Sequence, residues 1–355
     1  MSQVTVSGYH GNTIYVATSS QYNFQLATQL ASAMTRAAAT GAVTVTQDTT
    51  TAPAGQPAEL VKTVSGLTVL PGTYVDVVNT AANVIITSSS TSAINVLSGP
   101  GTFAFQGTGA GGTIVTGDGN DNIALSGSGS LGWNIAAGLG NNRIAALTTG
   151  ASTISAGAGN NTIQLGGGPS FVLTTGADTI IAGAGNATVT AQPGGSDKIT
   201  GGAGALNFTN ADHASTVTGG TGSVTVSGGA GGGVFQGGVN GNNDLVAGTG
   251  ATTLIGRSGG DTLVAGAGQD SLVMGTGAET IVFNNGQAGG IYMIADFLPN
   301  LDKLHLGGYG AGEQTHLLAT QSLNAGTGTL TAGLSDGSQI SFVGLGHVLT
   351  TANFG

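Results

Sequence analysis

Several glycine-rich segments of the chain carry one acidic residue at the same place, two positions before a large apolar residue. Glycine permits tight turns with positive φ, and such turns can bring several backbone carbonyls to one point. A carboxylate beside these carbonyls supplies the oxygen ligands that a hard cation such as Ca²⁺ prefers. The pattern therefore predicts cation sites in the turns. The clearest segments are Thr116–Ile123, Gly256–Leu263, Ala265–Leu272 and Met274–Ile281.

A second regularity predicts the elements that would position these turns. Between Ile180 and Ile281 a large apolar residue returns almost every nine positions, and the residues between are mostly Gly, Ala, Ser, Thr and Asn. A period of nine fits neither a helix nor a continuous strand, but it fits a short strand and a tight glycine turn, repeated. We therefore predict a parallel β-solenoid, or β-roll. The series is Ile180, Val189, Ile199, Phe208, Val217, Val226, Phe235, Leu245, Leu254, Leu263, Leu272 and Ile281.

The acidic position of the repeat is filled unevenly. Because loops on one side of a β-roll lie about two repeats apart, we expect Asp178 to neighbour Asp197, and Asp261 to neighbour Asn243 and Glu279. We expect a few cation sites at those places. The alternative is a solenoid whose turns are held by hydrogen bonds without any metal. The position holds Asp121, Asp178, Asp197, Asp261, Asp270 or Glu279 in some repeats, and Asn142, Asn161, Asn243 or a small or apolar residue in others.

The segment before the repeats differs from them in composition. Residues 1–55 predict a small α+β domain, with strands at Val4–Val6 and Thr13–Val16 and an amphipathic helix after them. We interpret this domain as a solenoid cap or an anchoring module. The polar stretch 47–56 is either a linker or a long loop that enters the solenoid. The solenoid itself is predicted over residues 60–286.

Residues 287–355 change character again and predict a β-rich C-terminal cap. Strands are expected at Ile291–Phe297 and Lys303–Leu306, a short helix at Glu313–Leu323, and a hairpin at Ser335–Gly337. Such a cap would close the open end of the solenoid. The predicted fold class is all-β: a parallel β-solenoid with a small α+β N-terminal domain and a β-rich C-terminal cap.

Composition limits the classes of function. The 355 residues include 67 Gly and no Cys, and the formal net charge is −10 with only six Lys plus Arg. So few basic residues argue against nucleic acid or an anionic membrane as the main ligand. We also expect no membrane span and no N-terminal secretory signal peptide. We do not expect an enzyme, because the Lys, Arg and His residues are scattered without the spacing of an active site.

The turns resemble the G-G-x-G-x-D-x-U-x repeat of the RTX, or hemolysin-type calcium-binding, family. The segment Ile294–Leu306 resembles the stretch that follows the repeats in secreted RTX proteases and lipases, with Asp296 and Asp302 at its acidic positions. Residues Phe342–Gly355 resemble an uncleaved type I secretion signal. The resemblance implies Ca²⁺ as cofactor, export by the type I secretion machinery, and an extracellular or cell-surface location. The metal ligands it implies are Asp121, Asp178, Asp197, Asp261, Asp270, Glu279, Asp296 and Asp302.

The whole chain is also similar to a group of glycine-rich α-proteobacterial proteins, through segments 228–238 and 245–254. The favoured hypothesis is a secreted structural protein of the cell surface or matrix. It would self-associate into a homo-oligomer or polymer (an S-layer, a fibre or a biofilm film) and would be stabilised by calcium. Cell-surface polysaccharide is a further candidate partner. The alternatives are a monomeric secreted module that binds glycan or ice, and a polysaccharide-active β-helix enzyme.

Overall fold

The structure is a computed structural model. Up to residue 92 it describes only Ser20 and the strands and helix whose bounds are given below. From residue 93 it describes residues 93–109, 111–257, 259–287 and 289–355. The predicted linker at 47–56 lies outside the described residues. By its internal contacts the chain forms two compact units, unit 1 (Met1–Thr188) and unit 2 (Val189–Gly355).

The strands of unit 1 that follow its helix form two parallel sheets. Sheet A has the order β3-β4-β6-β8-β10-β12-β14-β16, and sheet B has the order β5-β7-β9-β11-β13-β15-β17. From β4 onward, successive strands thus alternate between the sheets, which is the connectivity of a solenoid. The strands are β3 (Thr44–Thr46), β4 (Ala58–Leu60), β5 (Ser65–Val69), β6 (Tyr74–Val77), β7 (Val84–Ser88), β8 (Ile94–Ser98), β9 (Phe103–Gly107), β10 (Gly112–Val115), β11 (Asn122–Gly127), β12 (Trp133–Ala136), β13 (Arg143–Thr148), β14 (Ser152–Ser155), β15 (Thr162–Leu165), β16 (Ser170–Thr174) and β17 (Thr179–Ile181).

Apolar side chains stack in rows inside unit 1. Along sheet A, Ile114 pairs with Ile135, which pairs with Ile154 on the next strand. All three are fully buried, whereas the outward neighbour Thr153 is partly exposed. Burial of each such side chain contributes roughly 1.5–3 kcal/mol. Each large apolar residue of the repeated pattern therefore supplies one member of an interior row.

A hairpin and a helix precede these strands. β1 (Ser2–Ser7) pairs antiparallel with β2 (Thr13–Thr18), and α1 (Gln21–Ala39) follows. The Ser20 hydroxyl oxygen accepts the backbone N–H of Asn23, so it satisfies one of the free donors in the first turn of the helix. The predicted order of two strands and a helix is confirmed.

The helix packs on the outer face of sheet A. Leu30 belongs to a buried apolar cluster with Leu97 on β8, Val115 on β10 and Ala136 on β12. The side-chain amide of Asn23 donates to the carbonyl of Ala137 at 2.9 Å. These outward positions of the sheet are therefore buried by the helix instead of facing solvent.

The strands of unit 2 also fall into two sheets, and they pair in parallel except at the end of sheet D, where β31, β32 and β33 pair antiparallel. Sheet C has the order β20-β22-β24-β26-β28-β30, and sheet D has the order β19-β21-β23-β25-β27-β29-β33-β32-β31. The strands are β18 (Ala187–Ala191, which crosses the division between the units), β19 (Lys198–Thr200), β20 (Leu206–Thr209), β21 (Ser215–Thr218), β22 (Val224–Ser227), β23 (Gly233–Gln236), β24 (Asp244–Val246), β25 (Thr252–Ile255), β26 (Thr262–Val264), β27 (Gln269–Val273), β28 (Thr280–Asn284), β29 (Ile291–Ala295), β30 (Lys303–Gly307), β31 (Ser322–Asn324), β32 (Thr329–Gly333) and β33 (Gln339–Phe342).

The last elements of unit 2 cover the final strands of both sheets. In sheet D, β33 pairs in parallel with β29 and antiparallel with β32, which pairs antiparallel with β31. The turn between β32 and β33 confirms the predicted hairpin. A short helix, α2 (Glu313–Ala319), begins where it was predicted but ends four residues early, because Leu323 lies on β31 and pairs with Leu330. In sheet C, Leu304 on β30 forms a bridge with Phe354 and accepts the N–H of Gly355. A 3-10 turn at Thr351–Asn353 precedes this bridge.

The turns stack too closely for side chains at certain glycines. Gly119 has a φ of 148°, and a Cβ added there would lie 2.3 Å from the carbonyl oxygen of Gly101 in the preceding turn. A Cβ at Gly140 would lie 2.0 Å from the carbonyl oxygen of Gly119. Any other residue would push these turns apart. The fold is a mostly β protein built on a parallel β-solenoid, which confirms the predicted fold class.

We expect Leu254→Ala to lower the free energy of unfolding by about 2–5 kcal/mol, because a fully buried row would gain a cavity. Leu254 lies between Phe235 and Leu272 in sheet D. As a control, Thr253→Ala alters an outward position of the same strand and should change that energy by no more than about 0.5 kcal/mol. Urea unfolding followed by circular dichroism measures both. Equal losses in the two variants would contradict this account of the interior row.

Candidate metal site in the turn ladders

In unit 1 the residue before each of four strands of sheet B joins a ladder of side-chain oxygens. The backbone N–H of Asp121 donates to Oδ1 of Asn142 at 2.9 Å, and that of Asn142 donates to Oδ1 of Asn161 at 2.9 Å. The N–H of Asn161 in turn donates to Oδ1 of Asp178 at 2.7 Å. All four side chains are buried, so each one satisfies a buried donor of the turn before it. We call these four residues the unit 1 ladder.

Unit 2 has a second ladder before the strands of sheet C. The N–H of Asn243 donates to Oδ1 of Asp261 at 2.9 Å, and that of Glu279 donates to Oδ1 of Asp302 at 3.0 Å. The side-chain amide of Asn243 also donates to Oδ1 of Asp261, at 2.8 Å, so these two residues are in contact, as expected from the spacing. Asn243, Asp261, Glu279 and Asp302 are all buried and form the unit 2 ladder.

Several acidic side chains accept backbone N–H groups on both carboxylate oxygens. Asp270 accepts from Thr252 on Oδ1 and from Gly266 on Oδ2, and burial raises its pKa. Asp261 also accepts on Oδ2, from Arg257, and Asp302 does so from Leu298. Asp197, directly before β19 of sheet D, is buried and donates its N–H to the Ser215 hydroxyl oxygen. These residues position the turns through hydrogen bonds.

Asp121 differs because one of its carboxylate oxygens is unpartnered. Oδ1 accepts the N–H of Phe103, but Oδ2 is buried and makes no hydrogen bond. Burial raises the pKa of Asp121 to about 6; the nearby Thr116 hydroxyl and the Phe103 N–H offset part of the shift, and the charge of Asp118 adds to it. Oδ1 of Asp118 is itself buried without a partner. The ionised carboxylate is only partly compensated here, so a cation would fit the turn.

Glu279 presents the same situation in unit 2. Oε1 accepts the N–H of Gly277 at 2.8 Å, whereas Oε2 is buried and makes no hydrogen bond. Burial raises the pKa of Glu279 to about 7, and the neighbouring carboxyl groups of Asp302 and Asp261 add to the shift. Because neighbouring carboxylates repel one another, this site favours either a Glu279 carboxyl group that keeps its proton or a bound cation that neutralises the charge.

Asp296 lies apart from both ladders. It is exposed, and its φ of 61° is unusual for a residue with a side chain. It lines an open groove of about 610 Å³ with Arg257, Leu298 and Val343. Across the described part of the chain, no three His, Asp or Glu side chains gather where they could hold a metal ion. A metal role for Asp296 stays a prediction.

Fold and turns together define a class of protein: a parallel β-solenoid with buried carboxylates in its glycine turns. A family model, the RTX calcium-binding nonapeptide repeat, matches the chain in four copies, over residues 137–172, 170–191 and 237–272. These segments, well under half of the chain, match RTX repeats, and RTX repeats bind calcium. Asp178, Asp261 and Asp270 fall within them. The search of curated proteins gives no match.

Calcium fits the chemistry of the turns at Asp121 and Glu279. Ca²⁺ takes six to eight oxygen ligands, which include carboxylates and backbone carbonyls. Asp118 and Asp121 would hold the ion in unit 1, and Glu279 and Asp302 would hold it in unit 2. Carbonyls of the closely stacked glycine turns would supply further ligands. A bound ion would neutralise the buried carboxylates and join neighbouring turns.

Sequence reasoning did not single out Asp118, which occupies a variable position of the repeat. Its one signal was a second carboxylate in the turn that holds Asp121. The ladder asparagines depart from the acidic pattern, and their hydrogen bonds are of the kind expected under the alternative in which turns are held without any metal. In the part of the chain that the structure describes, no helix is both long and apolar enough to cross a membrane.

With metal removed by a chelator, the stability of the chain should depend on pH between about 4 and 7, from the ordinary pKa values of the two groups to their raised values. The folded-state pKa values of Asp121 and Glu279, about 6 and 7, lie above their ordinary values. The folded protein therefore binds more protons than the unfolded chain in this range, and its Tm should fall as the pH rises. Millimolar Ca²⁺ should offset the fall by pairing with the ionised carboxylates. Differential scanning calorimetry measures both effects, and a Tm that rises with pH in chelator would contradict the assignment.

Proposed function

We propose that the chain is a secreted, calcium-stabilised structural protein whose turns become neutralised and rigid when Ca²⁺ binds. The observation that carries the proposal is the pair of buried oxygens, Asp121 Oδ2 and Glu279 Oε2, that lack partners in a solenoid with RTX repeats. Proteins with such repeats are typically secreted. Extracellular calcium modules bind the ion with Kd values of about 10⁻⁴–10⁻³ M. Binding to the folded state alone would stabilise that state by mass action.

The double variant D121N/E279Q should lose most of the Ca²⁺-dependent rise in Tm and bind fewer Ca²⁺ ions. In chelator it should be at least as stable as the natural chain, because both changes remove a buried charge. The control is Asp212→Asn, which removes an exposed carboxylate paired with His213 and should leave calcium binding unchanged. Isothermal titration calorimetry and thermal melts measure the two quantities. Calcium binding that is unaltered in the double variant would overturn the proposal.

Self-association is the second part of the proposed function, and the outer face of β29 supports it. Ile291 and Met293 are about half exposed there, and they alternate with the buried residues Tyr292 and Ile294. The chain has few charges to keep such faces apart, since 6% of its residues are charged. Phe354 covers β30, the final strand of sheet C, and the antiparallel strands β31 and β32 cover the end of sheet D. Contacts between strand faces are therefore a better route to assembly than pairing at these edges.

Sedimentation velocity at high protein concentration, in chelator and in millimolar Ca²⁺, tests self-association. The natural chain should sediment as an oligomer with Ca²⁺, and I291K/M293K should shift toward the monomer because it places two charges in the apolar face. The control N207K/T225K adds the same charges at exposed positions of sheet C and should behave as the natural chain. A natural chain that stays monomeric under both conditions would overturn this part.

Export and partners complete the proposal. Residues Phe342–Gly355 would carry the type I secretion signal, and the groove beside Arg257 and Asp296 would be the place to seek polysaccharide binding. Ice binding has less support, because the outward row on sheet C runs Thr225, Asp244, Thr262 and so lacks an unbroken line of threonines. The few Lys, Arg and His residues are scattered along the sequence, which favours a structural role over a polysaccharide-active enzyme.

A further inference from the structure

The amide group of Asn243 occupies the position in its turn where a cation would meet oxygen ligands. Nδ2 donates to the carbonyl oxygens of Gly238 (3.0 Å) and Gly241 (3.1 Å) and to Oδ1 of Asp261 (2.8 Å). Oδ1 of Asn243 accepts the N–H groups of Val224 (2.8 Å) and Gly238 (2.9 Å). The side chain is buried, and both of its polar atoms are satisfied.

The asparagines of the unit 1 ladder act in the same way. Nδ2 of Asn161 donates to the Gly157 carbonyl at 3.3 Å and to Oδ1 of Asp178 at 2.8 Å. Nδ2 of Asn142 has longer contacts, 3.4 to 3.5 Å, and all of them are with carbonyl oxygens. These belong to Gly138, Gly140 and Ala156.

Carbonyl and carboxylate oxygens are the ligands of a hard cation. A carboxamide NH₂ among them offers donors, carries partial positive charge and brings no net charge into the interior. A cation at the same point would face the amide hydrogens and would have to displace these bonds. Each asparagine therefore links the carbonyl or carboxylate oxygens of its turn through amide hydrogen bonds. In a calcium-binding turn the ion would link such oxygens instead.

We propose that the turns of Asn142, Asn161 and Asn243 bind no calcium, because the carboxamide takes the place of the ion. These turns are held by their own hydrogen bonds with or without Ca²⁺. The turn of Asn142 lies beside that of Asp121, to which the proposed function assigns an ion, and only this contrast rests on the proposed function. All three asparagines fall within the matched RTX segments. A match to the calcium-binding repeat therefore does not imply an ion at each of its turns.

Asn243→Asp tests the proposal by restoring the acidic residue in the intact chain. The variant should bind one more Ca²⁺ than the natural chain, counted by native mass spectrometry and calorimetry. In chelator its Tm should fall below that of the natural chain, because the new carboxylate would face Asp261 where an amide now donates to it. Asn242→Asp is the matched control. Asn242 is exposed, so the same change in charge one residue away should leave the count of bound ions unchanged.

The results that overturn the proposal are distinct from those that overturn calcium binding itself. If N243D binds no additional ion and remains as stable in chelator, the proposal fails. It also fails if Asn243→Ala loses a bound ion, since Asn243 would then be a ligand. If the natural chain binds no calcium but N243D binds one ion, the proposed function fails and this inference stands. Should N243D fold only when Ca²⁺ is added, that result supports the proposal, and N142D with its exposed control N141D repeats the test in unit 1.

Discussion

The structure depends on one recurring hydrogen bond, from the backbone N–H before a strand to a side-chain oxygen in the next turn. Glycines let the turns approach so closely that a single Cβ would collide with the turn before it. A buried N–H must have an acceptor, and the neighbouring turn supplies one. Aspartate and asparagine both meet this need through Oδ1, so the ladder accepts either residue without a change of fold.

The other polar atom of the same side chain, Nδ2 in asparagine or Oδ2 in aspartate, decides whether the turn needs a further partner. In Asn243 that atom is a donor, and it binds carbonyls and a carboxylate inside the protein. In Asp121 it is an oxygen that finds no donor. We infer that this one position of the repeat sets whether a turn is complete by itself or needs a cation from the medium. On the proposed function, a chain that mixes both kinds would hold part of its structure before calcium is available, as a secreted protein needs.

The sequence allowed the solenoid to be predicted because the apolar rows impose their spacing on the chain, as Leu245, Leu254 and Leu263 show. It also indicated the turns in which acidic residues would lie. It could not show which way those side chains point, since an Asp in a glycine turn can face solvent, a backbone donor or an ion. The place of α1 could not be predicted either. Its apolar stripe requires a partner surface, but Leu97 and Val115 give no sign that they belong to that surface.

The position of α1 has a mechanical consequence. In a simple solenoid each turn touches only its neighbours, so the outermost turn can unravel without disturbing the rest. Here one rigid helix lies across three strands of sheet A, and Asn23 is joined to Ala137 across 114 residues of sequence. Because the helix has its full contact surface only when all three strands are in register, those turns must come apart together. Tension applied to the N-terminal residues would thus be shared by several turns at once, and resistance to force in unit 1 would be a collective property of those turns.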